Sequence, residues 1–263
     1  YASFAPMLCS TILKPVFKIK IFIHEQNSII GRTNLFFMNF TDKLFLNFNI
    51  LSKINHKYQK KTFIVGSPEK FLLKKAIKKD KNINKQFTIT ILGGSQGSEF
   101  ISNFSLELIK KMDEENIINA DYIFQCPKKM IKKVSDDLKK SKSKIVVKEY
   151  FFNLDDILEK TSIAISRAGA GSVGDLIDFK IPSILIPLPT SKDNHQFHNA
   201  SILAKHELAI IFDQDNYNLN YAKNYIYEFY NNKKKLELIN NKFDKIKVKN
   251  SNSLIYNLIT NEK

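Results

Sequence analysis

The amino-acid sequence predicts an α/β fold with parallel sheets. Short apolar runs rich in β-branched residues alternate with segments of helical periodicity along the 263 residues. Two of these runs end in glycine-rich turns that lead into helices, at Gly93–Ser98 and Arg167–Asp175. Alternation of strands and helices favours a parallel sheet, because each helical crossover returns the chain to the same edge of the sheet.

The first region contains three candidate strands and one helix. Phe17–His24 predicts a strand that leads through a loop into a helix at Ile29–Met38, and Lys43–Phe48 and Lys61–Val65 predict two further strands. Gly66-Ser67-Pro68 then breaks the pattern. Three strands are too few for a stable doubly wound sheet, so we interpret residues 1–68 as the remnant of a Rossmann-like domain.

The second region predicts a complete domain. We expect the lysine-rich segment 69–86 to be a helix and linker, residues 87–240 to form a Rossmann-like domain with six strands, and residues 241–263 to close the fold as a C-terminal helix. The predicted strands are Phe87–Leu92, Asp121–Gln125, Lys144–Glu149, Ile163–Ser166, Ser183–Pro187 and Ala209–Phe212. The predicted helices are Glu99–Met112, Lys129–Lys140, Leu154–Lys160, Ser172–Phe179, Gln196–His206, Tyr217–Tyr230, Asn232–Lys247 and Leu254–Thr260.

Composition limits the class of partner. The formal net charge is +15, yet of 41 basic residues two are arginines, Arg32 and Arg167, and the other 39 are lysines. Proteins that read nucleic acids rely on arginine for bidentate contacts, so this balance argues against a nucleic-acid partner and is compatible with an anionic membrane surface. Cys9 and Cys126 form no metal or redox motif, which indicates a reducing, cytoplasmic setting. No signal peptide and no apolar run of roughly 20 residues is recognisable.

The glycine-rich turn after Phe87–Leu92 predicts a phosphate site. Glycines at positions 93, 94 and 97 let the backbone approach a ligand closely, and the following helix presents its N-terminal amides to an anion. Ser95 and Gln96 add side-chain donors. The turn is neither a Walker A motif nor a dinucleotide fingerprint. An ordinary strand-to-helix turn that uses glycine for packing is the alternative.

Two further turns at the same edge of the predicted sheet carry polar residues. Arg167 offers a fixed charge to an anion, and Asp175 either favours the dipole of its helix from the first turn or accepts hydrogen bonds from sugar hydroxyls. After Ser183–Pro187, residues Asp193, Asn194, His195 and Gln196 crowd a helix start, where either plain N-capping or binding of a polyhydroxyl ligand is possible. His195 and His198 are three residues apart, but no further ligand accompanies them, so we expect no metal site.

In the first region, four polar residues in a row follow a strand end. His24, Glu25 and Asn27 suit a binding lip, with His24 or Glu25 as the acid or base. The alternative is a polar loop with capping roles.

Taken together, these motifs resemble the MurG family, the peptidoglycan N-acetylglucosaminyltransferases that convert lipid I to lipid II. The motifs occur in order over nearly the whole chain. They are Tyr1-Ala-Ser-Phe-Ala-Pro6, His24-Glu-Gln-Asn-Ser-Ile-Ile-Gly31, Gly66-Ser-Pro68, Gly93-Gly-Ser-Gln-Gly97, Arg167-Ala-Gly-Ala170 and Asp193-Asn-His-Gln-Phe-His-Asn-Ala200.

The resemblance implies a GT-B fold, with two Rossmann-like domains of which the N-terminal one is incomplete here. It implies an inverting transfer of GlcNAc from UDP-GlcNAc to the muramyl C4 hydroxyl of lipid I, with no cofactor and no metal in the chemical step. The acceptor is a polyprenyl lipid, so the expected location is the cytoplasmic face of the bacterial inner membrane. The segment Met7–Lys20, with Lys14, Lys18 and Lys20, either lies near that surface or forms a core strand with flanking lysines.

The resemblance also assigns residues, motif by motif. The diphosphate contacts are Gly94, Ser95, Gln96 and Gly97. A backbone group at Phe151 reads uracil, Asp175 stands where a residue that is usually Glu binds the ribose, and His195 and Gln196 stand where a polar pair binds the GlcNAc hydroxyls. Lys70 replaces a common Arg and loses its fork geometry. His24, Glu25 and Asn27 face the acceptor.

One part of the family pattern is expected to precede Tyr1. The family begins with a glycine-rich loop that ends in a His, which is thought to bind the acceptor diphosphate and supply the base. Without it we expect part of the catalytic apparatus to be missing. The alternatives are therefore a UDP-sugar-binding fragment without turnover, a related GT-B transferase with another lipid acceptor and, least favoured, a basic nucleic-acid binder.

Overall fold

A computed structural model describes residues 4–68, 86–94, 98–139, 141 and 143–260. The chain divides into two compact units, one of Tyr1–Glu69 with Val248–Lys263 and the other of Lys70–Lys247. Each unit is an α/β structure with a parallel sheet. The predicted linker at 69–86 lies outside the described residues except for Gln86.

The first unit is a three-stranded parallel sheet in the order β1-β2-β3, with helices on it. Its elements in chain order are α1 (Phe4–Phe17), β1 (Phe22–Glu25), α2 (Arg32–Phe37), β2 (Lys43–Leu46), a 3₁₀ turn (Leu51–Lys53), α3 (His56–Gln59) and β3 (Thr62–Ile64). The central strand β2 carries the core, since Leu44, Phe45 and Leu46 are all buried. The three strands predicted from the sequence are confirmed, each with shorter bounds.

The start of this unit corrects one expectation. Phe17 ends a helix, and the predicted strand over Phe17–His24 begins only at Phe22. The interpretation of Met7–Lys20 as a core strand is wrong, because most of it is α1 and no residue of that helix is buried. Its apolar residues recur every four positions, which is helical spacing, and Lys18 ends the helix with φ +53°.

The second unit is a six-stranded parallel sheet in the order β6-β5-β4-β7-β8-β9, which confirms the predicted doubly wound domain. Its strands are β4 (Thr88–Leu92), β5 (Asp121–Gln125), β6 (Ile145–Lys148), β7 (Ile163–Ser166), β8 (Ser183–Leu185) and β9 (Ala209–Ile211). Its helices are α4 (Glu99–Glu114), α5 (Lys128–Asp137), α6 (Leu154–Leu158), α7 (Ala170–Asp178), α8 (His195–Ala204), α9 (Leu219–Asn231) and α10 (Lys233–Ile246).

The strand order of the second unit reverses between β4 and β7. The chain builds outward from β4 through β5 to β6, and then returns to the other side of β4 with β7. Leu92 pairs with Ser166 at the carboxyl end of these two strands, so the turns that follow them start side by side. Every residue of both strands is buried, as expected for a sheet covered on both faces. Open α/β sheets bind ligands at such a switch point.

The chain ends in α11 (Ser251–Thr260), which belongs to the first unit. Lys43 Nζ donates a hydrogen bond to Leu258 O, and Ser251 is buried beside the turn after β3. Across the described helices, none combines the length and the apolar character needed to cross a membrane.

One ionic contact holds α1 to the sheet of the first unit. Asp42 accepts a hydrogen bond from Ile21 N at 2.7 Å and from Lys14 Nζ at 2.6 Å, and Lys14 also donates to Phe40 O. Burial alone would raise the pKa of Asp42. The hydrogen bonds from Ile21 and Lys14 outweigh it and lower the pKa below 3.8.

We predict that Asp42→Ala lowers the free energy of unfolding of the first unit by about 1–3 kcal/mol near neutral pH, because two donors lose their acceptor. A carboxylate with a lowered native pKa stabilises the fold above its unfolded pKa and loses this effect as pH falls through the native value. The difference between variant and wild type should therefore shrink below pH 3.8. Urea unfolding over a pH series measures it. Asp42→Asn, which keeps one acceptor oxygen, should lose less, and a pH-independent difference would contradict the account.

Candidate functional site

The turn after β4 opens onto the N-terminus of α4. Gly94 adopts φ +79°, a left-handed conformation that side chains rarely take. Ser98 caps the helix, since its Oγ accepts a hydrogen bond from Ile101 N at 3.2 Å. The helix is 16 residues long, so its N-terminal amides and dipole favour an anion at this turn. Three predicted diphosphate contacts lie outside the described residues: Ser95, Gln96 and Gly97.

Arg167, the first residue after β7, ties three segments together at this switch point. Its Nη1 donates to the carbonyl oxygens of Ile186 at 3.0 Å and Pro187 at 3.2 Å, which follow β8. Its Nη2 donates to Ser98 Oγ at 2.8 Å, at the start of α4. Burial lowers the pKa of the guanidinium. These bonds engage three of the five N–H donors, so Arg167 holds the β4, β7 and β8 turns in register.

The sequence predicted a different role for Arg167, as a fixed charge for a bound anion. That role stays a prediction. The structural role was not visible in the sequence, because both carbonyls and the capping hydroxyl are remote in the chain. Gly94 lies against the same side chain: a Cβ placed on Gly94 would be 3.8 Å from Arg167 Cγ. The glycine turn and the arginine therefore form one contiguous surface.

The turn after β7 is fastened by a residue that the sequence analysis did not select. Asn199 of α8 is fully buried, and its Nδ2 donates to Ala168 O at 3.2 Å. Its place in the Asp193–Ala200 motif was the available signal. Asp175 lies half-buried in the second turn of α7, and not in the first turn as expected. Since the helix dipole acts mainly within the first turn, the dipole interpretation of Asp175 is wrong.

The turn after β8 has a strained backbone that aims two polar side chains. Asp193 and Asn194 both adopt φ +52°. His195 Nδ1 lies 2.8 Å from Lys192 O, and Gln196 Oε1 accepts a hydrogen bond from Leu188 N at 2.9 Å. Asn194 occupies the N-cap position of α8 in the left-handed region and makes no side-chain capping bond, so the expected capping by Asn194 is wrong. Two successive non-glycine residues in this region are costly and typical of functional turns.

The expectation about metals can be compared with the described residues alone. In that part of the chain, no three His, Cys, Asp or Glu side chains gather closely enough to hold a metal ion.

A cavity of about 500 Å³ lies beyond the end of β6. Its wall includes Tyr150, Phe151 and Phe152, and Lys148 Nζ stands 5.8 Å from the centre of the Phe151 ring. Ile123 and Val146 form the apolar floor. Phe151 therefore lies at the same carboxyl edge of the sheet as the turns described above, in an environment suited to a flat, largely apolar group.

In the first unit, two predicted residues end β1 side by side and serve different contacts. His24 Nε2 lies 3.0 Å from Gly66 O, the turn that follows β3. Glu25 is 3% exposed. Its carboxylate accepts hydrogen bonds from Asn27 N at 2.9 Å, Asn27 Nδ2 at 3.3 Å, Gly31 N at 2.8 Å and Asn34 Nδ2 at 2.8 Å.

These contacts give Glu25 a definite task. Both of its oxygens are engaged, so the carboxylate fixes the loop 26–31 and the start of α2. Asn47 supports the loop from the other side through a bond from Nδ2 to Gln26 O. Asn27 is thereby placed by Glu25. An acid–base role for Glu25 stays a prediction, as does any role for Lys70, which lies outside the described residues.

The structure thus brings the predicted residues together in two groups. One group, on the second unit, lies along the carboxyl edge of the six-stranded sheet: Gly94, Phe151, Arg167, Asp175, His195 and Gln196. The other, on the first unit, follows β1: His24, Glu25 and Asn27. Ser98 and Asn199 join the first group as positioning residues that sequence reasoning missed.

Comparison with known proteins is consistent with this geometry. Residues 88–255 match the glycosyltransferase family 28 C-terminal domain. A Wolbachia (Drosophila simulans) relative named UDP-N-acetylglucosamine–N-acetylmuramyl-(pentapeptide) pyrophosphoryl-undecaprenol N-acetylglucosamine transferase is 30% identical over 95% of this chain and 70% of its own length. A Rickettsia bellii relative of the same name is 28% identical over 88% of this chain. The chain spans 66% of that relative and 54% of a Thermosipho melanesiensis one.

Solved structures share the fold. MurG of Acinetobacter baumannii superposes with a TM-score of 0.75 at 18% identity, over 98% of this chain and 71% of that one. UDP-GlcNAc 2-epimerase of Neisseria meningitidis superposes with a TM-score of 0.65 at 12% identity, over 99% of this chain and 73% of that one. At these identities the likeness shows the GT-B fold.

We predict that Arg167→Lys lowers the free energy of unfolding of the second unit by about 2–4 kcal/mol, because an ammonium group cannot reach three divergent acceptors. Amide hydrogen exchange at Ile101 and Ser102 should accelerate as the cap of α4 loosens. Urea unfolding and exchange by NMR measure both effects. Lys129→Met removes an exposed ion pair with Glu99 near the same helix and should cost less than about 0.5 kcal/mol. Equal stability of Arg167→Lys and wild type would contradict the clamp.

Proposed function

This chain belongs to the MurG family within glycosyltransferase family 28, and from that premise we propose that it transfers GlcNAc from UDP-GlcNAc to the muramyl C4 hydroxyl of lipid I. The observation that carries the proposal is the switch point between β4 and β7. There a left-handed Gly94, the capped N-terminus of α4 and the Arg167 clamp lie together. This arrangement suits a diphosphate, which carries the charge that leaves in the reaction.

The donor occupies the edge of the second unit in this proposal. The diphosphate lies over Gly94, Ser95, Gln96 and Gly97, with the charges of Lys70 and Arg167 available to it. The uracil meets the backbone at Phe151, beside the apolar cavity. Asp175 accepts hydrogen bonds from the ribose hydroxyls, and His195 and Gln196 bind the hydroxyls of the sugar.

The reaction is a single displacement with inversion. The acceptor oxygen attacks the anomeric carbon, the bond from that carbon to the diphosphate breaks, and its electron pair leaves on the β-phosphate. Amides of the glycine turn and of α4 stabilise this charge, so that no metal is needed in the chemical step. Between the two candidate bases we assign the proton transfer to His24, because the carboxylate of Glu25 is occupied with the loop that carries Asn27.

An exposed apolar surface on the first unit supports a membrane partner. We define the α1–α2 surface as Phe4, Leu8, Ile12, Val16, Leu35 and Phe36. Val16 is 72% exposed and Phe36 is 61% exposed, and the rings of Phe4 and Phe36 lie 6.2 Å apart. Lys18 follows the same helix. Apolar side chains bordered by lysine suit the interface of an anionic bilayer. We propose that this surface binds the cytoplasmic face of the inner membrane, where lipid I is held.

We expect transfer of labelled GlcNAc from UDP-GlcNAc to a lipid I analogue, and none to diacylglycerol. Product on diacylglycerol alone would indicate a related GT-B transferase. Binding of UDP-GlcNAc by calorimetry without any product would indicate a UDP-sugar-binding protein without turnover. The absence of both would contradict the proposal.

The site assignment has a matched control within that assay. Asp175→Asn should weaken UDP-GlcNAc binding by at least about tenfold, since a hydrogen bond to a charged group contributes about 1.5–3 kcal/mol. Asp215→Asn changes an exposed carboxylate on the same unit and should leave binding unchanged. Equal affinity of the two variants would remove Asp175 from the site.

We predict that the double variant Leu35→Ser, Phe36→Ser weakens binding to anionic phospholipid vesicles by at least about tenfold, because each side chain that enters the interface contributes about 1.5–3 kcal/mol when fully buried. Vesicle co-sedimentation measures this. Leu238→Ser, which changes an exposed leucine of α10, is the control and should bind as wild type does. Equal binding by all three proteins would place the membrane contact elsewhere.

A further inference from the structure

We propose that Gly66 is a positioning residue that fixes the tautomer of His24 and leaves Nδ1 as its basic atom. The inference rests on the proposed function, in which His24 takes the proton of the acceptor hydroxyl. It adds which nitrogen does so, and which part of the fold decides it.

The first step follows from hydrogen-bond chemistry. His24 Nε2 lies 3.0 Å from Gly66 O. A carbonyl oxygen only accepts hydrogen bonds, so Nε2 must carry the proton in this contact. The neutral imidazole then has its lone pair on Nδ1. Within the described part of the chain, Gly66 O is the hydrogen-bond partner of the ring.

The second step concerns what holds the Gly66 carbonyl in place. Gly66 adopts φ +74°, which side chains rarely take. Its N–H donates to Leu46 O at 3.1 Å, so the turn is anchored on the central strand β2. On its other side, a Cβ placed on Gly66 would come within 2.8 Å of both Val248 Cβ and Ser251 Oγ. The residues before and at the start of α11 therefore pack directly on this α-carbon.

The third step connects these contacts with the reaction. In the proton transfer, the hydroxyl proton goes to Nδ1 while Nε2–H stays on the Gly66 carbonyl, and the imidazolium that forms keeps a hydrogen bond to an acceptor. A bond that strengthens as the ring becomes positive stabilises the charged form. The carbonyl thus orients the ring in the way that a carboxylate does in other proton-transfer sites.

The test reads the two ring nitrogens directly. In protein labelled with ¹⁵N-histidine, with the His24 signals assigned by their loss in His24→Gln, wild type at a pH where the ring is neutral should show a protonated Nε2 and an unprotonated Nδ1. A neutral His24 with the proton on Nδ1 would overturn the inference, whatever the transfer assay shows. No substrate enters this measurement, so missing transfer with the expected tautomer would count against the proposed function alone.

Variants extend the test to Gly66. Gly66→Ala should give a mixture of tautomers at His24 and lower kcat by at least about tenfold, with the KM for UDP-GlcNAc unchanged. Val248→Ala trims the neighbouring side chain without adding an atom to Gly66, and should keep both the wild-type tautomer and kcat. Circular dichroism confirms that each variant folds, and a folded Gly66→Ala with the wild-type tautomer and rate would overturn the positioning role. If Gly66→Ala does not fold, the wild-type measurement still decides the tautomer.

Discussion

The nucleotide-side edge of this protein depends on one buried cation. Arg167 begins the turn after β7 and donates to the exit of β8 and to the cap of α4. These are three segments that parallel topology places side by side but does not fasten to one another. Strand pairing ends at Leu92 and Ser166. Beyond this pair the turns have no ladder, and the guanidinium supplies the missing connection. An anion-binding turn must keep its amides unpaired, so a clamp from behind is a direct way to hold it still.

The first unit solves the same problem with the opposite charge. Glu25 ends β1 as a buried carboxylate and gathers amide donors from the loop that follows it. A buried charge is tolerated only when hydrogen bonds satisfy it, and here the loop supplies them. Both ions lie at carboxyl ends of parallel strands, where the sheet stops and functional turns start. In both cases the charged residue acts on its neighbours, and this separates it from the residues beside it that face a ligand.

Much of the fold could be predicted because its strands are buried on both faces. The bounds of β5 and β7 agree with the sequence pattern, since a short β-branched run between polar turns has few other structures available. The failure at α1 has the reverse cause. The run from Val16 to Ile23 reads as a strand, but its first half extends an exposed helix whose spacing of four is visible only from Phe4 onward. The site was less predictable: Asn194 reads as a cap, whereas its backbone is left-handed. The bonds of Arg167 and Asn199 join residues far apart in the chain.

The choice of basic residue is informative in a chain that uses lysine almost everywhere. Lys61 performs a related structural task, since its Nζ donates to Met38 O at 2.7 Å and Thr41 O at 2.6 Å at the end of α2. These two acceptors converge on one point, which suits a compact ammonium group. The acceptors around Arg167 diverge toward two segments, so a planar fork is required there. With only two arginines among 41 basic residues, their positions mark where geometry overrides composition. Arg167 is such a place, and it coincides with the switch point at which the six-stranded sheet presents its turns.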